Sequence, residues 1–360
     1  MPTPSRALIS SVIKKPGVCV SYEFFPPKDR EQLPKLYETV LELKAFHRPD
    51  FCSVTWGAGG STVRNSIDVV SHLTHKLDLL TMAHFTGLGM TPGMVDEFLT
   101  RFEGTGIHNL LVLRGDRPHA KAGEAPAAAP PGTFKYASEL VRYIRSKPDR
   151  DASQLSILVA GCPEGHPEAV STEADWDQLA SKVRMGAEGI VTQLFFDNQA
   201  FYRFQDGLKQ RQVDVPVAVG VMIVTKAKMI QRIIELSRCS VPAELAAGIA
   251  RFESDDASME AFGIDFAARQ VGELMGRGVR NFHFYTLNQA GPTTRLLAQL
   301  KDKLGAPVVS HARTVNIEYR EYMAYPDSQI SDLFKKYGLN PALPHSIVYN
   351  HALRRYEITQ

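Results

Sequence analysis

In the segment VSYEFFPPKD, Val20 to Asp29, a single carboxylate, Glu23, stands between aromatic residues, and Pro26 and Pro27 follow it. A carboxyl group that aromatic neighbours shield from water should have a raised pKa, and an acid still protonated near neutral pH suits general acid catalysis. The plainer reading of the same residues is a structural carboxylate paired with Arg or Lys. In LVLRGDRP, Arg114 and Asp116 place opposite charges on either side of Gly115, a residue that lets backbone approach a ligand. An Arg/Asp pair closing a turn would look the same. In GCPEGHPE, Cys162 and His166 have a spacing that a metal could accept, but no third ligand lies near them, so no metal site is expected. Thr55, His84, Glu164, Gln193 and Tyr285 add further hydrogen-bonding or titratable groups.

These residues share one kind of position, at or just past the end of a short apolar, β-branched run. Eight such runs begin near Val18, Phe51, Leu79, His108, Leu155, Glu188, Val215 and Arg280. Amphipathic stretches such as Leu33 to Phe46, Phe134 to Ile144 and Asp175 to Met185 lie between them, with Gly or Pro near most boundaries. Regular β-then-α alternation implies parallel strands with right-handed crossovers, and eight units predict an α/β protein with a closed (β/α)8 TIM barrel. A doubly wound open sheet is the alternative. To bind a dinucleotide it would need a glycine fingerprint after its first strand, where this chain has FFPPKD.

Alternation along the first strand divides Val18, Val20, Tyr22 and Phe24 from Cys19, Ser21 and Glu23. The bulky set should face the helices and the small polar set the barrel interior, so that Glu23 points into the mouth. His283 in the eighth run reads as a barrel-core histidine. The barrel is expected over residues 1–304, with extra helices between 239 and 278. A C-terminal extension over 305–360 has no strong periodicity and is too short for a full regulatory domain. RPHAKAGEAPAAAPPGT, after the fourth strand, reads as a mobile loop.

The 360 residues are 44% hydrophobic and 22% charged, with a formal net charge of +2 and no basic run, so nucleic acid is not an expected partner. No apolar stretch approaches the roughly 20 residues of a membrane span, and the N-terminus lacks a secretory h-region, which predicts a cytoplasmic protein. Cys19, Cys52, Cys162 and Cys239 are far apart and read as reduced thiols.

SYEFFPPK, VTWGAGGST, LRGD, PEGHPE, TQLFFD and FHFYTLN together resemble the methylenetetrahydrofolate reductase family, in order and spacing, over roughly residues 17 to 303. The resemblance implies a barrel holding FAD, which takes a hydride from NADH or NADPH and passes it to 5,10-methylenetetrahydrofolate in ping-pong fashion to form 5-methyltetrahydrofolate. Glu23 matches the family's general acid at the folate N10 side. Asp116 matches a carboxylate beside the flavin, Gln193 an amide that orients the folate, and Tyr285 a folate wall. The matching FAD positions are Thr55, His84, Arg114, Gly115, Asp116, Tyr136, Ala160, His166, Asp175 and Lys182. Family habit also implies a homo-oligomer. Phe85, Gly87, Cys162, Ile223 and Gln289 depart from common family residues, the first two at the third-strand turn. A non-catalytic flavin- or folate-binding homologue, or a proline-dehydrogenase-like flavin barrel, are the alternative readings.

Overall fold

A computed structural model describes residues 7–56, 63–115, 132–147, 151, 154–237, 239–304, 314–324, 329–337, 346–350 and 355–359. In chain order its first half runs α1 (Ile9–Val12), β1 (Cys19–Phe24), α2 (Leu33–Phe46), β2 (Phe51–Val54), α3 (Val63–His75), β3 (Thr81–Thr86), α4 (Pro92–Gly104), β4 (Asn109–Leu113), α5 (Ala137–Arg145), β5 (Ser156–Gly161) and α6 (Thr172–Arg184). It continues with β6 (Gly189–Thr192), α7 (Asn198–Gln210), β7 (Val217–Met222), α8 (Ala227–Ser237), α9 (Ala243–Arg251), α10 (Asp256–Gly276), β8 (Asn281–Tyr285), α11 (Ala290–Gln299) and α12 (Lys301–Leu304). Beyond these lie β9 (Thr314–Glu318), α13 (Tyr319–Ala324), α14 (Ile330–Lys336), β10 (Ser346–Asn350) and β11 (Arg355–Thr359). Strands β1 to β8 pair in sequence order and close into a parallel barrel, as the alternation predicts.

Local chemistry explains most boundaries. Hydroxyl and carboxylate side chains accept backbone N–H groups at helix starts, Thr91 for α4, Ser171 for α6, Asp197 for α7 and Asp255 for α10. Pro26 and Pro27 end β1, because neither can donate to a ladder. Val20, Tyr22 and Phe24 pack in the layer between barrel and helices. Cys19 instead joins Phe51, Met82, Leu111, Leu158, Val191 and Ala218 in a separate interior cluster. The predicted parity of β1 therefore holds.

That interior cluster also contains Ile9 and Ile13 from the α1 region. The start of α1 is anchored at the strands' N-terminal ends, where Ile9 N–H donates to Asn109 Oδ1 (2.8 Å) and Ser10 N–H to Ser156 Oγ (3.0 Å). The bottom of the barrel is thus plugged by an apolar turn of helix, which leaves the opposite end for chemistry.

Two helices, α9 and α10, precede β8 as expected. Gly263 of α10 crosses the chain after β7 so closely that a Cβ would run into the Val224 carbonyl. The C-terminal residues form a three-stranded antiparallel sheet, in the order β10, β11, β9, that the sequence reading did not find. Ile317, Tyr322, Leu333, Phe334, Ile347, Tyr349, Tyr356 and Ile358 are buried in one hydrophobic cluster with α2 and α3. The expected loop after β4 lies almost wholly outside the described residues. No helix among the described residues is long and apolar enough to cross a membrane.

Candidate active site

The barrel places Glu23 between β2 and β8, opposite Ser53 on one side and Tyr285 on the other. Its backbone is held at the strand end, where Thr286 Oγ1 donates to the Glu23 carbonyl (2.7 Å). One step further, the Asn288 side-chain amide pairs with the backbone of Phe25, Nδ2 donating to its carbonyl (2.7 Å) and Oδ1 accepting from its N–H (2.9 Å). This amide continues the β1–β8 ladder past the last strand residue and fixes the rim.

The Glu23 carboxyl is buried, but its interior neighbours are not the aromatic residues that flank it in sequence. Oε2 lies 3.2 Å from His84 Nε2 and 3.5 Å from His283 Nε2, and Ser53 Oγ donates to it at 3.4 Å. This corrects the expected raised pKa. Burial pushes the carboxyl up, but the close approach of the His283 imidazole, then the charge of His84, outweigh it and bring it down to about 2. The physical reason is parity: Tyr22 and Phe24 point into the helix layer, and the imidazoles of β3 and β8 converge on the carboxylate. His84 was matched to a flavin position. Its Nε2 is buried and, despite the short approach to Glu23, makes no hydrogen bond of acceptable angle.

A second group gathers at the ends of β4 and β5. Gly115 has φ +92°, and a Cβ there would lie 3.0 Å from that of Thr86, so the turn requires glycine. Beside it, Arg114 forms a bidentate pair with Glu168 (2.7 and 2.9 Å). The backbone N–H of Glu168 donates to His166 Nδ1 (3.1 Å), so a neutral His166 carries its proton on Nε2. Lys182 Nζ donates to the Ala160 carbonyl (2.8 Å).

The electrostatics show how close these groups are. Burial, then Arg114, lowers the His166 pKa. Burial raises Asp175 against the opposing charges of Lys182 and His166, and burial lowers Lys182 against Cys162 and Asp175. Cys162, at a family departure, is pushed up to about 12 by burial and then Asp175. Two cationic side chains, Arg114 at the end of β4 and Lys182 reaching the end of β5 from the last turn of α6, thus stand near a neutral imidazole, a setting that suits a diphosphate with ribose hydroxyls and fits a dinucleotide such as FAD.

Tyr285 leans across the seventh strand, and its hydroxyl donates to the Thr192 carbonyl (2.7 Å). The ring lies over Gly220, where a Cβ would come within 2.6 Å of it. Gln193 is half-buried beside this wall, and its Oε1 accepts from Leu194 N–H (2.9 Å). Thr55 sits next to the Glu23 side of the mouth, its N–H donating to the Phe24 carbonyl. Tyr136 is exposed at the start of α5, and Asp116 lies outside the described residues. Among the departures, Phe85 faces outward into a cluster with Trp56, Phe98 and Phe102, away from the mouth. Gly87 leaves room for Leu140 and Phe134, so only the second of these two substitutions shapes the turn. Sequence reasoning missed Ser53, Glu168 and Asn288, and it left His283 without a role. Parity was the available signal for Ser53 and His283, because both alternate onto the inward face.

The Methylenetetrahydrofolate reductase family profile matches residues 8–301. The chain belongs to the methylenetetrahydrofolate reductase family. Among methylenetetrahydrofolate reductases it is 34% identical over 289 residues to "Methylenetetrahydrofolate reductase (NADH) 1" of Arabidopsis thaliana, covering 78% of this chain and 48% of that protein. It is 32% identical over 288 residues to "5,10-methylenetetrahydrofolate reductase" of Escherichia coli strain K12, covering 79% and 91%. The chain therefore spans about half the length of the plant relatives it matches. Among solved structures, an uncharacterized Clostridium thermocellum protein that binds two copies of 5-methyl-5,6,7,8-tetrahydrofolic acid shares the fold, with a TM-score of 0.55 and 13% identity over 82% of this chain and 99% of that one.

Proposed function

We propose that this protein reduces 5,10-methylenetetrahydrofolate to 5-methyltetrahydrofolate, with FAD as the bound carrier and NADH or NADPH as donor in a ping-pong cycle. The observation that carries the reading is the buried Glu23 at the mouth of a barrel whose next rim holds Arg114, His166, Asp175 and Lys182. Family membership supplies the reaction that needs both.

When bound, FAD supplies a two-electron carrier that links nucleotide oxidation to folate reduction. Lys182 and Arg114 would balance the diphosphate charge, and Asp175 would accept from a ribose hydroxyl. His166 would donate through Nε2. On the folate side, Glu23 would relay to N10 a proton taken from a neighbouring donor, since its own carboxyl is ionised near neutral pH, so that the electron pair of the breaking methylene–N10 bond is left on a neutral amine rather than on an anion. Tyr285 and Gln193 would form the wall against which the pterin is oriented, and Asp116 would, by its match to the family motif, supply a negative charge to the carrier.

The test is the visible spectrum of the purified protein under anaerobic conditions. Flavin bands that bleach with NADH or NADPH and return with methylenetetrahydrofolate are the expected result. A colourless protein that takes up no FAD would overturn the proposal.

A further inference from the structure

We propose that the acid at the barrel mouth is a proton-sharing pair, in which the buried His283 stores the proton that Glu23 hands to the substrate amine. The inference rests on the folate-reducing reading and deepens it. His283 is fully buried in the barrel and cannot itself touch substrate, so it acts through Glu23 as a positioning residue.

Hydrogen-bond accounting identifies the mobile proton. Ser21 Oγ lies 2.7 Å from His283 Nδ1 and 3.1 Å from the Phe282 carbonyl. Ser21 Oγ donates to that carbonyl, which leaves its oxygen able to accept from Nδ1–H. Nδ1 is thereby occupied, and Nε2 is the position whose protonation can change. Nε2 faces Glu23 Oε2 at 3.5 Å, with Ser53 Oγ 3.2 Å from Nε2 and 3.4 Å from Oε2. The Ser53 hydroxyl can therefore donate to the carboxylate when Nε2 is protonated and to Nε2 when it is not.

The remaining titratable groups facing the carboxylate are His84 on β3, at 3.2 Å, and Tyr285 on β8, whose phenol feels the Glu23 charge. His84 Nε2 approaches the carboxylate without a well-directed hydrogen bond, and the Tyr285 hydroxyl is committed to the Thr192 carbonyl.

The transfer balances with one proton. Imidazolium and carboxylate become imidazole and carboxylic acid when the Nε2–H bond breaks and an Oε2–H bond forms. That O–H bond then breaks as N–H forms at the substrate amine. Glu23 is left as carboxylate and His283 neutral, and solvent at the open mouth restores the proton. Without the imidazole the carboxyl has no stored proton to draw on, so the acid function should fail at lower pH once His283 is removed.

The experiment compares wild type, His283→Gln, Glu23→Gln and the double variant. The first readout is an infrared titration of the protein without folate, in which Glu23→Gln assigns the carboxyl band. The second is the single-turnover folate half-reaction against pH. In His283→Gln the Glu23 carboxyl should gain its proton at a pH where the wild-type group is still ionised. The alkaline limb of the folate half-reaction should move down by at least one pH unit, a loss of at least tenfold on that limb, with nucleotide-driven flavin reduction unchanged. Adding His283→Gln to Glu23→Gln should change nothing more. An unshifted profile and band, or a second loss of the same factor in the double variant, would overturn the pair. Should His283→Gln fail to fold, His283→Asn carries the same readouts with the same two outcomes. A wild type inactive with folate would remove the proposed reaction, and the infrared titration would still report whether His283 governs Glu23.

Discussion

Glu23 shows how a residue's meaning turns on its neighbours in space. Its flanking aromatics predict an apolar pocket, and the barrel interior gives it two imidazoles and a hydroxyl instead. Changing Glu23 to Gln keeps the shape and removes the acid. The folate half-reaction should then slow by about 10²- to 10⁴-fold, the usual worth of one acid/base group, while flavin reduction by nucleotide keeps its rate. Stopped-flow measurement of the two half-reactions decides this, and equal losses in both would point to a structural carboxylate. Gly220→Ala tests the opposite wall. The added Cβ would meet the Thr192 carbonyl and the Tyr285 ring, so the ring must leave its place. Folate affinity should fall with flavin content preserved; unchanged folate binding would mean that Tyr285 is not part of the wall.

At the scale of elements, helix and strand boundaries were largely legible because short-range chemistry sets them. The span Leu33–Phe46 was read as helical and is α2 to the residue, and all eight barrel runs contain their strands. How α2 meets α3 was not legible. His72 of α3 stacks on Tyr37 of α2 (3.8 Å between ring centroids), its Nε2 is buried without a partner, and burial followed by the Lys76 charge lowers its pKa to about 3. The unfolded chain binds a proton here below its ordinary value of 6.5 and the folded chain does not until about 3. Stability should therefore be intact above pH 6.5 and fall by about 1.4 kcal/mol per pH unit below it. His72→Phe keeps the stack and removes the titration. In urea denaturation, the stability lost between pH 8 and pH 5 should shrink by about 2 kcal/mol relative to wild type. An unchanged loss would show that His72 is not the responsible group.

On the scale of the whole molecule, the barrel carries its C-terminal sheet as part of one hydrophobic cluster. Tyr322 donates its hydroxyl to the Lys76 carbonyl, and Lys76 Nζ donates to the Tyr322 carbonyl (3.3 Å), so α13 is tied in both directions to the turn that follows α3. Tyr356 is fully buried against Tyr322 and Tyr349. Tyr356→Ala should cost on the order of 3–5 kcal/mol, as other large-to-small core aromatic changes do. A loss under about 1 kcal/mol would mean that the sheet contributes little to the barrel's stability. The alternation that marks these strands is present, with Ile347 and Tyr349 in β10 and Tyr356 and Ile358 in β11 buried. It escaped notice because each strand has only five residues, too short for period two to stand out from chance.

Periodicity, caps and strand-end polarity were enough to specify the eight-fold βα alternation, the inward face of β1 and the choice of Glu23, Arg114 and His166 as residues to watch. These are local properties, carried by neighbours within a turn or a strand. Barrel closure alone decided that β3 and β8 aim His84 and His283 at Glu23, and that Glu168 meets Arg114 across 54 positions of chain. Closure also seated α1 under the barrel and the last sheet on α2. Contacts between distant segments depend on register and packing, which no window of sequence contains.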